Sequence, residues 1–534
     1  MEYIPPNSNI LLREGIRRFF MTKKNIIKGT LILIISGFIA KFLGLFFRLP
    51  IIYMIGEEGI GLYQLTYPIY TFLLGLSAGI PVAISKMVSE RAALSKYEDC
   101  RRIYRASMFV MFVIGTVSTL LLIVFANDLI NYFSWSRDAY YSILGISFAP
   151  LFTCLLSVYR GYFQGFQNMN PSAVSQIIEQ LGRVVVGVGL TYFLLPYGIG
   201  AAAGGAAFGA TFGAFISLIF LMLLYKKYGK TYKYANNTFT PYRSIIKELI
   251  LLAIPISLAH ALGSIMSLID SLTVPKLLKM SGYTESIATA LYGQLTGKAF
   301  VLINVPLTMA TALSQSTVPA ISEVYTINNK KLLKRNMEMC FKLASILAFP
   351  CAAGLYTLAR PIFYFVFQGM DDGWELLQIL SIAVIFIIFS QVATSIINGI
   401  GKTFIPLISM IIGSIVKVFI SFSLISIPSI NIKGAAYGTL ISYLLISFIN
   451  IYFVFKYTKT RINLFKSIVS PIACSIAMIF IVVIAYTRFY EYTLSINIST
   501  IFSILSGAAI YFVLLFITKT ISLKDVLDLQ KKKR

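Results

Sequence analysis

Residues 29–56 read GTLILIISGFIAKFLGLFFRLPIIYMIG, an apolar run broken by two charges only, Lys41 and Arg48. At about 1.5 Å of helix per residue the run is long enough to cross a hydrocarbon core about 30 Å thick. A charge at the centre of that core costs roughly 2.5–3.5 kcal/mol on insertion scales. Lys41, Gly44 and Arg48 fall at i, i+3 and i+7, which is one helical stripe, so both cations point the same way. At that cost neither is expected to face lipid, and a polar cavity is the natural destination.

The rest of the chain repeats the pattern. Of 534 residues, 57% are hydrophobic and 13% charged, against a charged share of about 25% in soluble domains. Apolar runs recur at 29–54, 62–85, 106–126, 141–163, 173–195, 199–225, 248–272, 287–312, 339–359, 376–398, 404–428, 434–456, 465–487 and 497–518. An all-α polytopic membrane protein of about 14 transmembrane helices is expected. Its expected parts are a basic arm (1–28), a first lobe (29–225), a basic linker (226–247), a second lobe (248–456), two further spans (465–518) and a basic tail (519–534). The first apolar run is too long for a cleaved signal peptide.

A formal charge of +25 raises the question of nucleic acid, and its distribution answers it. Of 46 Lys and Arg residues, 35 fall in alternate loops, span ends and the two termini (with 86–105, Arg160, 226–247, 330–342, Lys402 and 456–466), 6 in the opposite loops and 5 deep inside spans. That asymmetry is the positive-inside signature and predicts that both termini are cytoplasmic. Anionic lipid suffices as the partner of the basic loops, and no nucleic acid is needed. Trp135 and Trp374 are expected at outer interfaces, and the five scattered cysteines predict neither disulfides nor a metal site.

Two stretches repeat. Residues 81–108 resemble 319–346, each with an apolar span ending in Ala-Ile-Ser (Ala83–Ser85, Ala320–Ser322) before a basic loop. Residues 160–187 parallel 394–421, with Gly165, Pro171 and Arg183 answering Gly399, Pro406 and Lys417. Spans 1–6 and 7–12 therefore read as two parallel copies, a transporter architecture. Chance similarity between apolar segments is the competing account.

Five cations lie deep within spans: Lys41, Arg48, Arg183, Lys298 and Lys417. Only Glu179 and Asp270 are deep carboxylates. Glu179 and Arg183 are i, i+4 and are expected to pair; Asp270 is expected to neutralise one cation or to carry a coupling ion. The remaining positive charge predicts an anionic substrate. Lys41 and Lys417 could instead snorkel to an interface on their long stems. His260, the single histidine, is expected to be packed or hydrogen-bonded rather than to relay protons. The Gly-Lys-Thr runs at 229–231 and 401–403 lack the earlier glycine of a phosphate loop, since Leu224 and Ile396 stand there. Asp371-Asp372 reads as a solvated loop, and Gly200, Gly204, Gly205, Gly209 and Gly213 as a close-packing stripe.

KGTLILIISGFIAKFLGLFFR (28–48), IGEEGIGLYQ (55–64), GIPVAISKMVSE (79–90), RGYFQGFQNMNPSAVSQIIEQLGR (160–183), YGQLTGKAF (292–300) and STVPAISE (316–323) resemble the polysaccharide-transporter branch of the multidrug/oligosaccharidyl-lipid/polysaccharide (MOP) exporter superfamily. The resemblance implies a V-shaped, multidrug-exporter-like fold of two six-helix lobes, with the last two helices cradling a lipid tail. It implies a place in a bacterial cytoplasmic membrane, no enzyme activity and no cofactor. The implied function is flipping of undecaprenyl-diphosphate-linked glycan, lipid II for spore cortex peptidoglycan in particular, with cell-wall synthesis proteins as partners. The related lipid II flippase family holds the diphosphate with first-helix arginines around a glycine. Lys41 and Arg48 flank Gly44 here, with a spacing of seven instead of that family's six and one lysine in place of arginine. Lys298, Arg183 and Lys417 join them as expected cavity cations, balanced by Asp270 and Glu179. The alternative is a cation-coupled exporter of drugs or of other lipid-linked oligosaccharides. It would need more cavity carboxylates; a membrane glycosyltransferase would need large outer loops with acid and base groups.

Overall fold

The computed structural model describes the backbone of residues 8–94, 96–228, 240–326, 329–460, 464–518 and 520. Side chains are described from Ser36 on, except within those gaps and at 38, 41, 42, 45, 93, 228, 255, 259, 262, 263, 315, 316, 319 and 464–467. The helices are α1 (Ser8–Ser77), α2 (Gly79–Ala93), α3 (Tyr97–Val124), α4 (Ala126–Phe133), α5 (Ala139–Ser147), α6 (Ala149–Gly165), α7 (Asn170–Leu194), α8 (Ile199–Tyr228), α9 (Tyr242–Met280), α10 (Glu285–Gly293), α11 (Phe300–Thr326), α12 (Lys330–Thr357), α13 (Ala359–Val366), α14 (Trp374–Gly399), α15 (Phe404–Ile425), α16 (Lys433–Thr458), α17 (Leu464–Thr493) and α18 (Ile496–Ile517). A π-helical turn, Gln294–Ala299, joins α10 to α11. No strand occurs among the described residues.

Twelve stretches among the described residues are long and apolar enough to cross a membrane, where fourteen were expected. One of the twelve, Phe46–Ala92, is 47 residues long and covers parts of the first two expected spans. It turns at Gly56, whose φ of 64° and ψ of −165° suit only a residue without a Cβ. The expected seventh span lies in α9, several of whose side chains are outside the described set. The expected basic arm is helical from Ser8, while the tail beyond Thr520 lies outside the described residues.

The chain divides into two compact units. The first holds the chain up to Ile51, Thr66–Asp128 and Asp138–Ser264; the second holds Ile52–Leu65, Leu129–Arg137 and the chain from Ile265. The boundary at Ser264 falls beyond the basic linker, because the first half of α9 packs on α1 and α2. A methyl at Gly75 would stand 2.8 Å from the Ala261 Cα, and one at Gly79 2.1 Å from the Ala253 carbonyl oxygen. Arg91 on α2 and Glu248 on α9 add an ion pair at 2.6 Å.

In hydrocarbon there is little hydrophobic drive between helices, so close backbone approach and internal polar contacts hold them together. The α8 glycines supply the approach. Methyls at Gly205, Gly209 and Gly213 would stand 2.9, 2.7 and 2.3 Å from the α7 backbone at Leu190, Arg183 and Glu179. A tyrosine cluster on α3, α6 and α8 (Tyr104, Tyr159, Tyr162, Tyr225) adds ring contacts, with Tyr104 donating to the Tyr159 hydroxyl at 2.9 Å. In the second unit Tyr511 on α18 donates to the Ile346 carbonyl at 3.1 Å, tying the last pair of helices to α12. Trp135, expected at an interface, is buried: its indole donates to the Ser271 carbonyl at 2.9 Å, which satisfies its single donor inside the protein.

Candidate functional site

In the first unit, α7 presents Gln176, Glu179, Gln180 and Arg183 at i, i+3, i+4 and i+7, one face of the helix, and all four are half-buried. α1 runs beside it in the same direction. Ser36 Oγ donates to Gln176 Oε1 at 3.2 Å. A methyl at Gly44 would stand 3.2 Å from Gln180 Nε2, and one at Gly187 would stand 2.6 Å from the Phe47 ring. This register sets half-buried Arg48 about one turn beyond Arg183 along the pair. Arg183 Nη1 donates to the Tyr67 hydroxyl at 3.4 Å, with its guanidinium 5.9 Å from the ring centroid. Tyr70 and Thr153 follow, their hydroxyls 3.3 Å apart.

Glu179, expected to pair with Arg183, makes its ion pair with Arg160 of α6, Nη2 to Oε2 at 2.8 Å. Arg160 Nε also donates to Ser175 Oγ at 2.8 Å. The physical reason is the short 166–169 connection, which folds α7 back along α6 and brings the long Arg160 side chain across. Arg160, counted with the loop cations in the sequence, is thus part of the wall. Three arginines (48, 160, 183) against one glutamate leave the described wall with a net charge of +2. Arg48 makes no ion pair among the described residues. The side chain of Lys41 lies outside the described residues.

The second unit holds the other cations, and both are neutralised. Lys298, on the π-helical turn, is wholly buried and ion-paired with Glu57. Its Nζ also donates to the Met370 carbonyl at 3.2 Å, and Gln294 Nε2 donates to the other Glu57 oxygen at 2.6 Å. Lys417 Nζ lies 2.7 Å from Asp270 Oδ2 and 3.2 Å from the Met266 carbonyl, with both charged side chains buried. Full burial and specific counter-ions differ from the open, cavity-lining cations expected of these lysines. Asp270, expected to neutralise one cation or to carry a coupling ion, neutralises Lys417. Its Oδ1 accepts no hydrogen bond among the described residues.

Arg183 and Lys417 hold matching places within their own units. Each stands on a helix running parallel to an earlier one, α7 beside α1 and α15 beside α9, as Ser414 to Met266 Sδ (3.7 Å) and Ser281 to the Ile425 carbonyl (3.1 Å) show for the second pair. Each also has a glycine of the next helix against its backbone. A methyl at Gly209 would stand 2.7 Å from the Arg183 carbonyl oxygen, and one at Gly438 would stand 3.4 Å from that of Lys417.

The first-unit wall therefore offers planar guanidinium forks, two primary amides and several hydroxyls. Guanidinium binds phosphate oxygens in a bidentate manner, and amides and hydroxyls suit a sugar. His260 is exposed. Among the described residues no three His, Cys, Asp or Glu side chains gather as a metal site. Gln176, Gln180, Tyr67, Arg160 and Glu57 were missed from the sequence. The polar i, i+3, i+4, i+7 stripe on α7 was readable; the distant partners were not.

Residues 26–325 match the family described as polysaccharide biosynthesis protein. The chain is 32% identical over 326 residues to stage V sporulation protein B of Bacillus subtilis (strain 168), covering 60% of this chain and 63% of that relative, less than two thirds of its length. It is 28% identical over 411 residues to lipid II flippase MurJ of the same organism, covering 73% of this chain and 75% of that one. Among solved structures it is similar to a lipid II flippase MurJ in an inward closed conformation, with a TM-score of 0.68 and 17% identity over 92% of this chain and 99% of that one.

Proposed function

Because the chain belongs to the polysaccharide biosynthesis protein family, we propose that it is a flippase for undecaprenyl-diphosphate-linked glycan, with lipid II for spore cortex peptidoglycan as the substrate. The observation that carries this reading is the net-positive polar wall of α1 and α7. A lipid-linked sugar keeps its polyprenyl tail in hydrocarbon, so only its diphosphate and glycan need a polar path. At 4 Å and an effective dielectric of 20, each unit charge pair between arginine and phosphate is worth about 4 kcal/mol before desolvation. Arg48 and Arg183 take the diphosphate, together with Lys41, while Gln176, Gln180 and Tyr67 meet the sugar. Lys298 and Lys417 act as structural ions. The site is exposed alternately to the two sides of the membrane, both chain termini lie in the cytoplasm, and cell-wall synthesis enzymes take the delivered precursor.

A cation-coupled exporter needs a free carboxylate in the membrane, and the two deep ones, Glu179 and Asp270, are paired with Arg160 and Lys417. That favours the flippase reading. The test is flipping of lipid II in reconstituted vesicles at matched protein levels. Arg48→Ala is expected to abolish flipping with insertion intact, because losing an intramembrane cation relieves insertion cost. Arg48→Lys keeps the charge without the planar fork and retains part of the activity. Normal flipping by Arg48→Ala would overturn the assignment.

A further inference from the structure

On the first unit, α3 and α9 stand apart over a floor made by Ile80, Ala253 and Ser257, leaving a groove of about 480 Å³. That is within the roughly 300–1,000 Å³ typical of small-ligand sites. Its sides are apolar and open to the surroundings: Phe109 and Val113 from α3, Ile254 and Leu258 from α9, and Leu76 from the end of α1, all exposed. Beneath the groove Gly75 and Gly79 let α1 and α2 pack tightly onto α9.

Both walls continue into cations on the same helical faces. On α3, Arg105, Phe109 and Val113 are at i, i+4 and i+8; on α9, Arg243, Lys247, Ile254 and Leu258 are at i, i+4, i+11 and i+15. Arg105, Arg243 and Lys247 are exposed and make no ion pair among the described residues. Of the carboxylates at that end, Asp99 accepts from the Thr240 hydroxyl at 2.8 Å and Glu248 pairs with Arg91, while half-buried Glu98 makes no ion pair among the described residues, so the three cations outnumber it. From Lys247 to Leu258 the helix rises about 16 Å, close to half of a hydrocarbon core about 30 Å thick.

We propose that this groove is a binding site for one anionic diacyl phospholipid of the phosphatidylglycerol class. Its phosphate sits among Arg105, Arg243 and Lys247, and one acyl chain fills the space between α3 and α9. The match is one of charge and of depth: three free cations stand at headgroup level and the apolar cleft below them is one leaflet deep. The bound lipid fills the gap between α3 and α9 and so supports that face of the first unit. This site is separate from the α1–α7 wall and does not depend on the identity of the transported molecule.

The test uses the full-length protein with Phe109→Trp as a reporter on the groove wall, Phe109 being 65% exposed and tolerant of a larger ring. Phosphatidylglycerol brominated on its acyl chains is titrated against equally brominated phosphatidylcholine, and quenching of the added tryptophan emission is followed. Each cation near the headgroup is worth a factor of about five, so a preference for phosphatidylglycerol of roughly tenfold or more is expected. The triple variant Arg105→Gln/Arg243→Gln/Lys247→Gln should lose it while thermal unfolding in detergent stays unchanged. Equal quenching by both lipids, or a preference that survives the triple variant, would overturn the proposal. Displacement of the brominated phospholipid by an equimolar amount of undecaprenyl phosphate would overturn it too, and would give the groove to the polyprenyl carrier.

Discussion

Lys298 and Glu57, 241 positions apart, form an ion pair in which the lysine is wholly buried while the glutamate keeps 18% of its side chain exposed. The asymmetry makes the two halves of the pair unequal. Glu57→Ala strands a buried ammonium with backbone carbonyls alone and is expected to cost about 3–5 kcal/mol, the range for an orphaned buried charge. Lys298→Met leaves the carboxylate with Gln294 and the solvent rim, and should cost less than half as much. Chemical unfolding of the two variants in detergent reads the difference directly.

Asp270 and Lys417 are buried alike, so their substitution should behave symmetrically. Asp270→Leu and Lys417→Met are each expected to destabilise by about 3–5 kcal/mol, and the double variant to return to within about 1–2 kcal/mol of the parent. A double-mutant cycle on the thermal midpoint checks this. If flipping survives in the double variant, the pair holds the helices together and carries no ion; loss of flipping in a stable double variant would give it a direct part in transport.

Glycines on and against α7 separate packing from propensity. At Gly213 a methyl would lie 2.3 Å from the Glu179 carbonyl oxygen, whereas at Gly189 it would meet nothing within 4 Å. Gly213→Val should therefore force α8 from α7 and displace Glu179 and Arg183, with loss of folded protein. Gly189→Ala, on the same helix pair, should be neutral or stabilising by about 0.5–1 kcal/mol. Yield and monodispersity after purification distinguish the two.

Removing the one carboxylate from the α1–α7 wall raises its charge. Glu179→Gln is expected to hold a diphosphate lipid more tightly and release it more slowly, lowering both the half-saturating substrate fraction and the maximal flipping rate, each by a few-fold. A rise in the half-saturating fraction would mean that Glu179 serves the wall by positioning Arg160 instead of by tempering its charge.

Much of this architecture was legible in the sequence because a bilayer imposes it. Span length, loop charge and the five intramembrane cations are local properties, and the glycine stripe of α8 packs as its spacing predicts. The partners of those cations were not legible. Glu57 meets Lys298 across 241 residues and Asp270 meets Lys417 across 147, separations at which no local pattern reports contact. Arg160 looked like a loop residue because a cation at the end of an apolar run reads the same whether it faces solvent or turns back along the next helix. Lys298 also sits on a π-helical turn, where the wider winding offsets every residue from the face a regular helical wheel assigns it.

The buried Asp270–Lys417 pair also fixes an order of events at the ribosome. Synthesis proceeds at about 5–20 residues per second, so Lys417 emerges roughly 7–30 s after Asp270. Throughout that interval the nascent chain holds an acid destined for the membrane interior without the lysine that pairs with it in the folded protein. Until α15 arrives, α9 enters hydrocarbon as the protonated acid or stays with the insertion machinery. The second unit closes only when α15 reaches α9, 147 residues later in the chain.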